Sequence, residues 1–189
     1  MKILLTFLPL ISTLLLSYQT MRAGFKFSGK SPLKSRTIYY IAKVIVAFSF
    51  GLTALASLFP NAYLVFPFNI QSEVPASQQL LAMIFLFAGN ALLLSAQYEL
   101  SIFTRVGLPT SAHALCTSGV YRWSRNPMYA SLLFFFSACF MLNPSVEVAV
   151  LLSIGLIIHL PIIKAEEKYL AKEFGEEYAE YQKKTARFL

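Results

Sequence analysis

The chain has 189 residues, 57% of them hydrophobic and only 13% charged, with 16 Lys and Arg against nine acids. A soluble domain carries about 25% charge, so this composition excludes an ordinary soluble enzyme and reads as one integral membrane domain. The +7 net charge is bunched between apolar runs rather than laid out as a nucleic-acid surface. Two cysteines without CxxC or HExxH spacing give neither a disulfide framework nor a metal site.

Five apolar segments follow one another along the chain. Ile3–Tyr18 is short and holds Pro9. A signal peptide is its rival reading, but no A-x-A-like site follows, and Arg22 and Lys26 stand where stop-transfer flanks would. Ile38–Phe59 and Leu80–Tyr98 are long enough to cross, since about 20 helical residues span about 30 Å of hydrocarbon. Lys43 is the one charge well inside a span; near a helix end it snorkels to the surface and receives no role. Met128–Leu142 and Val146–Ile163 are joined by Asn143-Pro144-Ser145, a tight turn signal, and read as an antiparallel helical hairpin.

Beyond Pro161 the pattern continues as a helix leaving the membrane. Leu170, Phe174 and Tyr178 recur at i, i+4 and i+8, with Tyr181 near the same face, which is the mark of an amphipathic surface helix. The expected fold is therefore an all-α integral membrane protein of about five transmembrane helices with a C-terminal amphipathic helix. It is a single domain, with three spans in residues 1–100 and a loop, hairpin and helix in residues 101–189.

Basic residues between spans set the orientation. The first loop holds Arg22, Lys26, Lys30, Lys34 and Arg36 and no acid, residues 60–76 hold no basic residue, and the third loop holds Arg105, Arg122 and Arg125. Loops one and three and the basic tail then share the cytoplasmic side, and the N-terminus lies outside. This topology brings His113–Tyr129 to the same side as Glu166-Glu167.

That polar stretch, HALCTSGVYRWSRNPMYAS from His113 to Ser131, holds the groups that can do chemistry. Asn126-Pro127 is a helix start, with a favoured N-cap residue and Pro at the first helical position. Its N–H groups and positive dipole end, beside Arg122 and Arg125, suit a carboxylate or phosphate. The plainer alternative is that Arg122 and Arg125 are positive-inside anchors and Tyr121, Trp123 and Tyr129 an aromatic belt. His113 is a ligand contact or a satisfied loop residue. His159 lies at membrane depth, where helix packing beside Pro161 accounts for it. Glu166 and Glu167 stand where the last helix emerges, placed to hold an ammonium or a ribose hydroxyl.

His113, Leu115, Thr117, Gly119, Tyr121, Arg125, Asn126, Pro127 and Tyr129, followed by Glu166, Glu167, Leu170, Phe174, Gly175, Tyr178 and Tyr181, resemble the isoprenylcysteine carboxyl methyltransferase family. They resemble more loosely the membrane phospholipid N-methyltransferases. The likeness covers roughly residues 105–189. It implies an S-adenosyl-L-methionine pocket lined by His113, Ala114, Leu115, Cys116, Gly119, Tyr121, Asn126, Pro127, Met128, Tyr129 and Glu166, with Glu167 and Arg125 as catalytic candidates. It further implies methyl transfer to a lipophilic or lipid-modified acceptor arriving from the bilayer, most simply to a carboxylate. A phospholipid, amine or thiol methyltransferase, a nicotinamide-dependent membrane reductase and a non-catalytic scaffold are the alternatives. The chain departs from the family at Ile162, where prenylcysteine-specific relatives carry a carboxylate-gripping Arg, and at Cys116, where the family has Val. The oligomeric state is not legible.

Overall fold

The computed structural model describes residues 35–58, 73–100 and 114–189, together with Ile11, Tyr18 and Phe68. The expected first span, the first basic loop, Arg105 and His113 fall outside the described residues. Four α-helices are present among those described: α1 (Arg36–Leu58), α2 (Ala76–Leu100), α3 (Pro127–Leu142) and α4 (Val146–Lys184), with a short 3-10 turn at Gly119–Arg122. Each occupies an apolar segment expected from the sequence, and α2 and α4 are long and apolar enough to cross a membrane.

Helix α3 packs along α2, with Phe135 and Ala138 against Ala82, Leu86 and Leu93. Gly89 makes this approach possible. A Cβ there would stand 2.8 Å from Phe135 Cε1, closer than carbon atoms pack. The hairpin between α3 and α4 closes over Phe136, Cys139, Val148 and Leu152. Ser145 caps α4 by accepting the Val148 N–H at 3.2 Å, which satisfies one of the free donors of a helix start. Helix α1 joins through Tyr39 and Ala42, which meet Ile162 with Tyr129 and Ile158 around them.

Two ends of the bundle result. At one, the 143–145 turn meets the start of α2 through Gln78 Nε2 donating to the Met141 carbonyl at 2.9 Å, and Phe68 N–H donates to Glu147 at 3.0 Å. At the other, the start of α1, the end of α2, the start of α3 and the exit of α4 come together. The third loop and the tail thus share one end, as charge placement required.

The long helix runs on through Pro161, as the pattern implied, and differs from expectation in one respect: it breaks at Gly175, with φ 51° and ψ −119°. That conformation is open to glycine and very costly for a residue with a Cβ. Leu170 and Phe174 lie before the break and Tyr178 and Tyr181 after it, so these four are not one continuous amphipathic stripe. Tyr178 and Tyr181 are buried, turned back onto the third loop.

Single cysteines at the exposed positions Trp123 and Val146, in a chain without Cys116 and Cys139, should react with an impermeant thiol reagent from opposite sides of the membrane. The 16 residues of α3 separate them by about 24 Å at 1.5 Å per residue. Labelling of both from one side would show that α3 and its partners do not cross.

Candidate functional site at the mouth of the bundle

Neighbouring acids on α4 have different surroundings, because successive helical residues turn through about 100°. The apolar run of α4 ends at Ile163, and Glu166 and Glu167 follow within the next turn. Glu167 is 6% exposed and its carboxylate is fully engaged. One oxygen accepts from Asn126 Nδ2 at 3.0 Å and Arg125 Nε at 3.3 Å. The other accepts from Arg187 Nε at 3.0 Å and Nη2 at 2.7 Å. Burial alone would raise this carboxyl, but the hydrogen bonds from Arg187 and Asn126 and the charge of Arg125 hold it below the usual carboxylate range.

The same residues tie the C-terminal segment to the third loop. Arg125 N–H donates to the Ala186 carbonyl at 2.9 Å, and Ser124 Oγ and Asn126 Nδ2 donate to the Arg187 carbonyl at 3.2 and 3.3 Å. Arg125 Nη1 donates to the carbonyls of Gln182 and Thr185. Tyr181 donates to the Tyr121 carbonyl at 2.6 Å. Asn126 does occupy the N-cap position and Pro127 the first turn of α3, yet the Asn126 side chain makes no cap. It is spent on Glu167 instead, and Tyr129 N–H and Ala130 N–H return to the Asn126 carbonyl. The helix start is consequently a weaker anion site than its sequence implied.

Glu166 faces the other way. Its Oε1 accepts from the Tyr129 hydroxyl at 3.0 Å, and its second oxygen has no partner among the described residues. The residue is half-buried as a whole, with the carboxyl at the enclosed end. Burial pushes that carboxyl up to about 7, against the opposing charge of Lys43 and the Tyr129 hydrogen bond. Tyr121 is buried nearby. Burial, with Cys116, Tyr181, Glu166 and Glu99 as electronegative neighbours, holds its hydroxyl well above the ordinary tyrosine range, so it remains a donor.

The loop ahead of Tyr121 is held by an acid that the motifs did not single out. Ser118 Oγ donates to Glu99 at 2.8 Å, and Gly119 has a φ of 51°. A Cβ on Gly119 would displace the Glu99 carboxylate, and the positive φ favours glycine there on backbone grounds. Ala114 is exposed and Leu115 and Cys116 half-buried, and burial raises the Cys116 thiol. Of the sequence candidates, Tyr121, Asn126, Pro127, Tyr129 and Glu166 gather at the bundle's mouth, with Met128 half-buried beside them. Glu167 and Arg125 are committed to each other and to the tail, which disfavours proton transfer by either. Glu99, Arg187, Lys43 and Tyr39 were missed. The signal for Glu99 was its place as the one acid closing α2.

Glu167→Gln should cost on the order of 3 kcal/mol of stability, because it strands the 10%-exposed Arg125 without an anion. Arg187→Gln should cost at most about 1 kcal/mol, since the Arg187 side chain is 44% exposed and solvent screens it. Thermal unfolding in detergent ranks the two. Equal losses would mean that the tail arginine, and not the buried one, carries the cluster.

Comparison with known proteins agrees with this geometry. A family profile described as phospholipid methyltransferase matches residues 77–177, which run from the start of α2 through both acids. The chain is also similar to protein-S-isoprenylcysteine O-methyltransferase of Saccharomyces cerevisiae (strain ATCC 204508 / S288c), 38% identical over 79 residues. That alignment covers 40% of this chain and 32% of the yeast protein, so the chain spans about a third of the relative it matches. With more than half of its residues inside the family profile, the chain belongs to the phospholipid methyltransferase family.

Proposed function

We propose that this protein is an S-adenosyl-L-methionine-dependent membrane methyltransferase that acts on a lipophilic acceptor, with transfer to a carboxylate as the favoured reaction. The observation that carries the reading is the Tyr129–Glu166 pair at the mouth of apolar helices. It joins the two halves of the motif across 37 residues of sequence and leaves a carboxylate oxygen without a partner among the described residues.

The residues fit the cofactor's polar groups. Glu166 presents an acceptor for an ammonium or paired hydroxyls, and Tyr129 fixes the direction of that acceptor. Tyr121, held protonated, offers a donor and a ring face. When bound, the cofactor supplies a methyl group already activated on a cationic sulfur. An acceptor carboxylate is nucleophilic without losing a proton, so the engagement of Glu167 by Arg125, Arg187 and Asn126 removes nothing the reaction requires. We assign Glu167 and Arg125 as positioning residues, which keep the third loop and the tail in register around Glu166. The apolar helices behind Tyr129 exclude water, and positioning in a dry site supplies much of the rate in such a transfer.

Glu166→Gln should weaken S-adenosylhomocysteine binding by about tenfold or more, the loss of one charge-assisted hydrogen bond, while Glu176→Gln leaves it unchanged. Calorimetry that shows equal affinity for Glu166→Gln and the unaltered chain would remove the assignment. The pH dependence has a definite sign. A carboxyl near 7 is mostly protonated at pH 6 and ionised at pH 8, so affinity should rise across that interval by up to about tenfold for one unit of under-ionisation. In Glu166→Gln the rise should vanish.

A further inference from the structure

A second polar cluster adjoins Glu166 through Tyr129. Its members come from three helices. Lys43 of α1 places Nζ 5.4 Å from the centre of the Tyr39 ring and 5.5 Å from that of the Tyr129 ring. The Tyr129 and His159 rings are 5.9 Å apart. Tyr39 and His159 are 2% and 3% exposed. Lys43 is seven residues into α1, about 10 Å along the helix.

Three features of this cluster point to a missing ligand. Lys43 makes no salt bridge among the described residues; its ammonium lies over the Tyr39 and Tyr129 rings, with Glu166 as the nearby acid. The buried Tyr39 hydroxyl and the buried His159 Nε2 both lack a hydrogen-bond partner. The His159 Nδ1 lies 2.7 Å from the Gly155 carbonyl. A carbonyl only accepts, so Nδ1 carries the proton and Nε2 presents a lone pair. A buried polar group without a partner is costly, and two of them beside an ammonium that has no salt bridge among the described residues form a set with defined chemistry: one cation, one hydroxyl donor, one acceptor.

We propose that Lys43, Tyr39 and His159 form the headgroup site for the acceptor, and that they select a lipophilic acid carrying an N–H or O–H donor next to its carboxylate. The inference rests on the reading of the protein as a methyltransferase and names the group that reading leaves open. The carboxylate meets Lys43 and the Tyr39 hydroxyl, and the neighbouring donor meets His159 Nε2. Ile162, fully buried against Tyr39 and Ala42, stands where the prenylcysteine-specific pattern has an arginine. Lys43, adjacent to Ala42, brings a cation to that same junction from a different helix. One cation and one hydroxyl suit a monoanion better than a phosphate. Tyr129 separates the two sites, with Lys43 over its ring and Glu166 on its hydroxyl, so acceptor and cofactor lie on either side of one side chain.

The test is equilibrium binding of radiolabelled N-palmitoylglycine to the full chain in phosphatidylcholine nanodiscs, with palmitate and hexadecylamine as competitors. The unaltered chain should bind N-palmitoylglycine more tightly than palmitate and palmitate more tightly than hexadecylamine. Lys43→Gln should weaken both acids by about tenfold or more, and Lys43→Arg should restore most of the binding. S-adenosylhomocysteine affinity should fall by less than acid affinity and recover as pH rises, because only the Lys43 charge on Glu166 is lost. Tyr39→Phe, which keeps the ring, should weaken the acids severalfold and serves if Lys43→Gln does not fold. Unchanged acid binding in folded Lys43→Gln or Tyr39→Phe would overturn the proposal, as would hexadecylamine competing as well as palmitate. Lys43-dependent acid binding in a chain that binds no S-adenosylhomocysteine would support this site while refuting the methyl-donor reading.

Discussion

The Glu167 carboxylate is the interaction on which the rest of the site depends. It is buried at the exit of α4 and held by Asn126, Arg125 and Arg187, so three separate pieces of chain meet on two oxygen atoms. A buried ion pair is weak support for stability when it is replaced by matched apolar groups, but losing one partner alone is costly. The cluster therefore specifies an arrangement: α3 must start where α4 leaves the apolar layer, and the tail must lie across both. Glu166, on the same turn, acquires its place from that constraint.

This division between adjacent acids gives the site its chemistry. Glu167 satisfies the protein, and Glu166 retains an oxygen for something else. Membership of the phospholipid methyltransferase family rests on the stretch of chain that carries both acids. Tyr129 is half-buried and links the two groups, its hydroxyl on Glu166 and its ring beside Lys43.

Much of the scaffold was legible in the sequence because its signals are local. Asn143-Pro144-Ser145 marked the hairpin turn, Asn126-Pro127 the start of α3, and apolar length the helices α1 to α4. Glu166 and Tyr129 were legible as a pair through the motif that joins them. What stayed hidden depends on contacts between distant pieces. Arg187 reaches Glu167 across 20 residues because Gly175 reverses the end of α4, and a single glycine among Lys and Glu announces no such reversal. Asn126 read as a cap because its residue type and position are right, but the stronger acceptor of Glu167 outcompetes the helix backbone for its amide. Lys43 read as a snorkelling lysine because nothing along α1 reveals that Tyr129 and Glu166 lie opposite it.

The helical phase of α4 has a consequence for how such a chain can vary. His159, Ile162, Ile163 and Glu166 stand at i, i+3, i+4 and i+7, one face of the helix, and Glu167 begins the next. Inserting or deleting one residue between Gly155 and Glu166 would swing everything downstream by about 100°. The scaffold acid would then point where the ligand acid belongs, and the tail would lose its anchor. Length change is thus excluded from this stretch even where composition is free. Substitutions on the outward faces of the helices, by contrast, leave intact the register on which both acids depend.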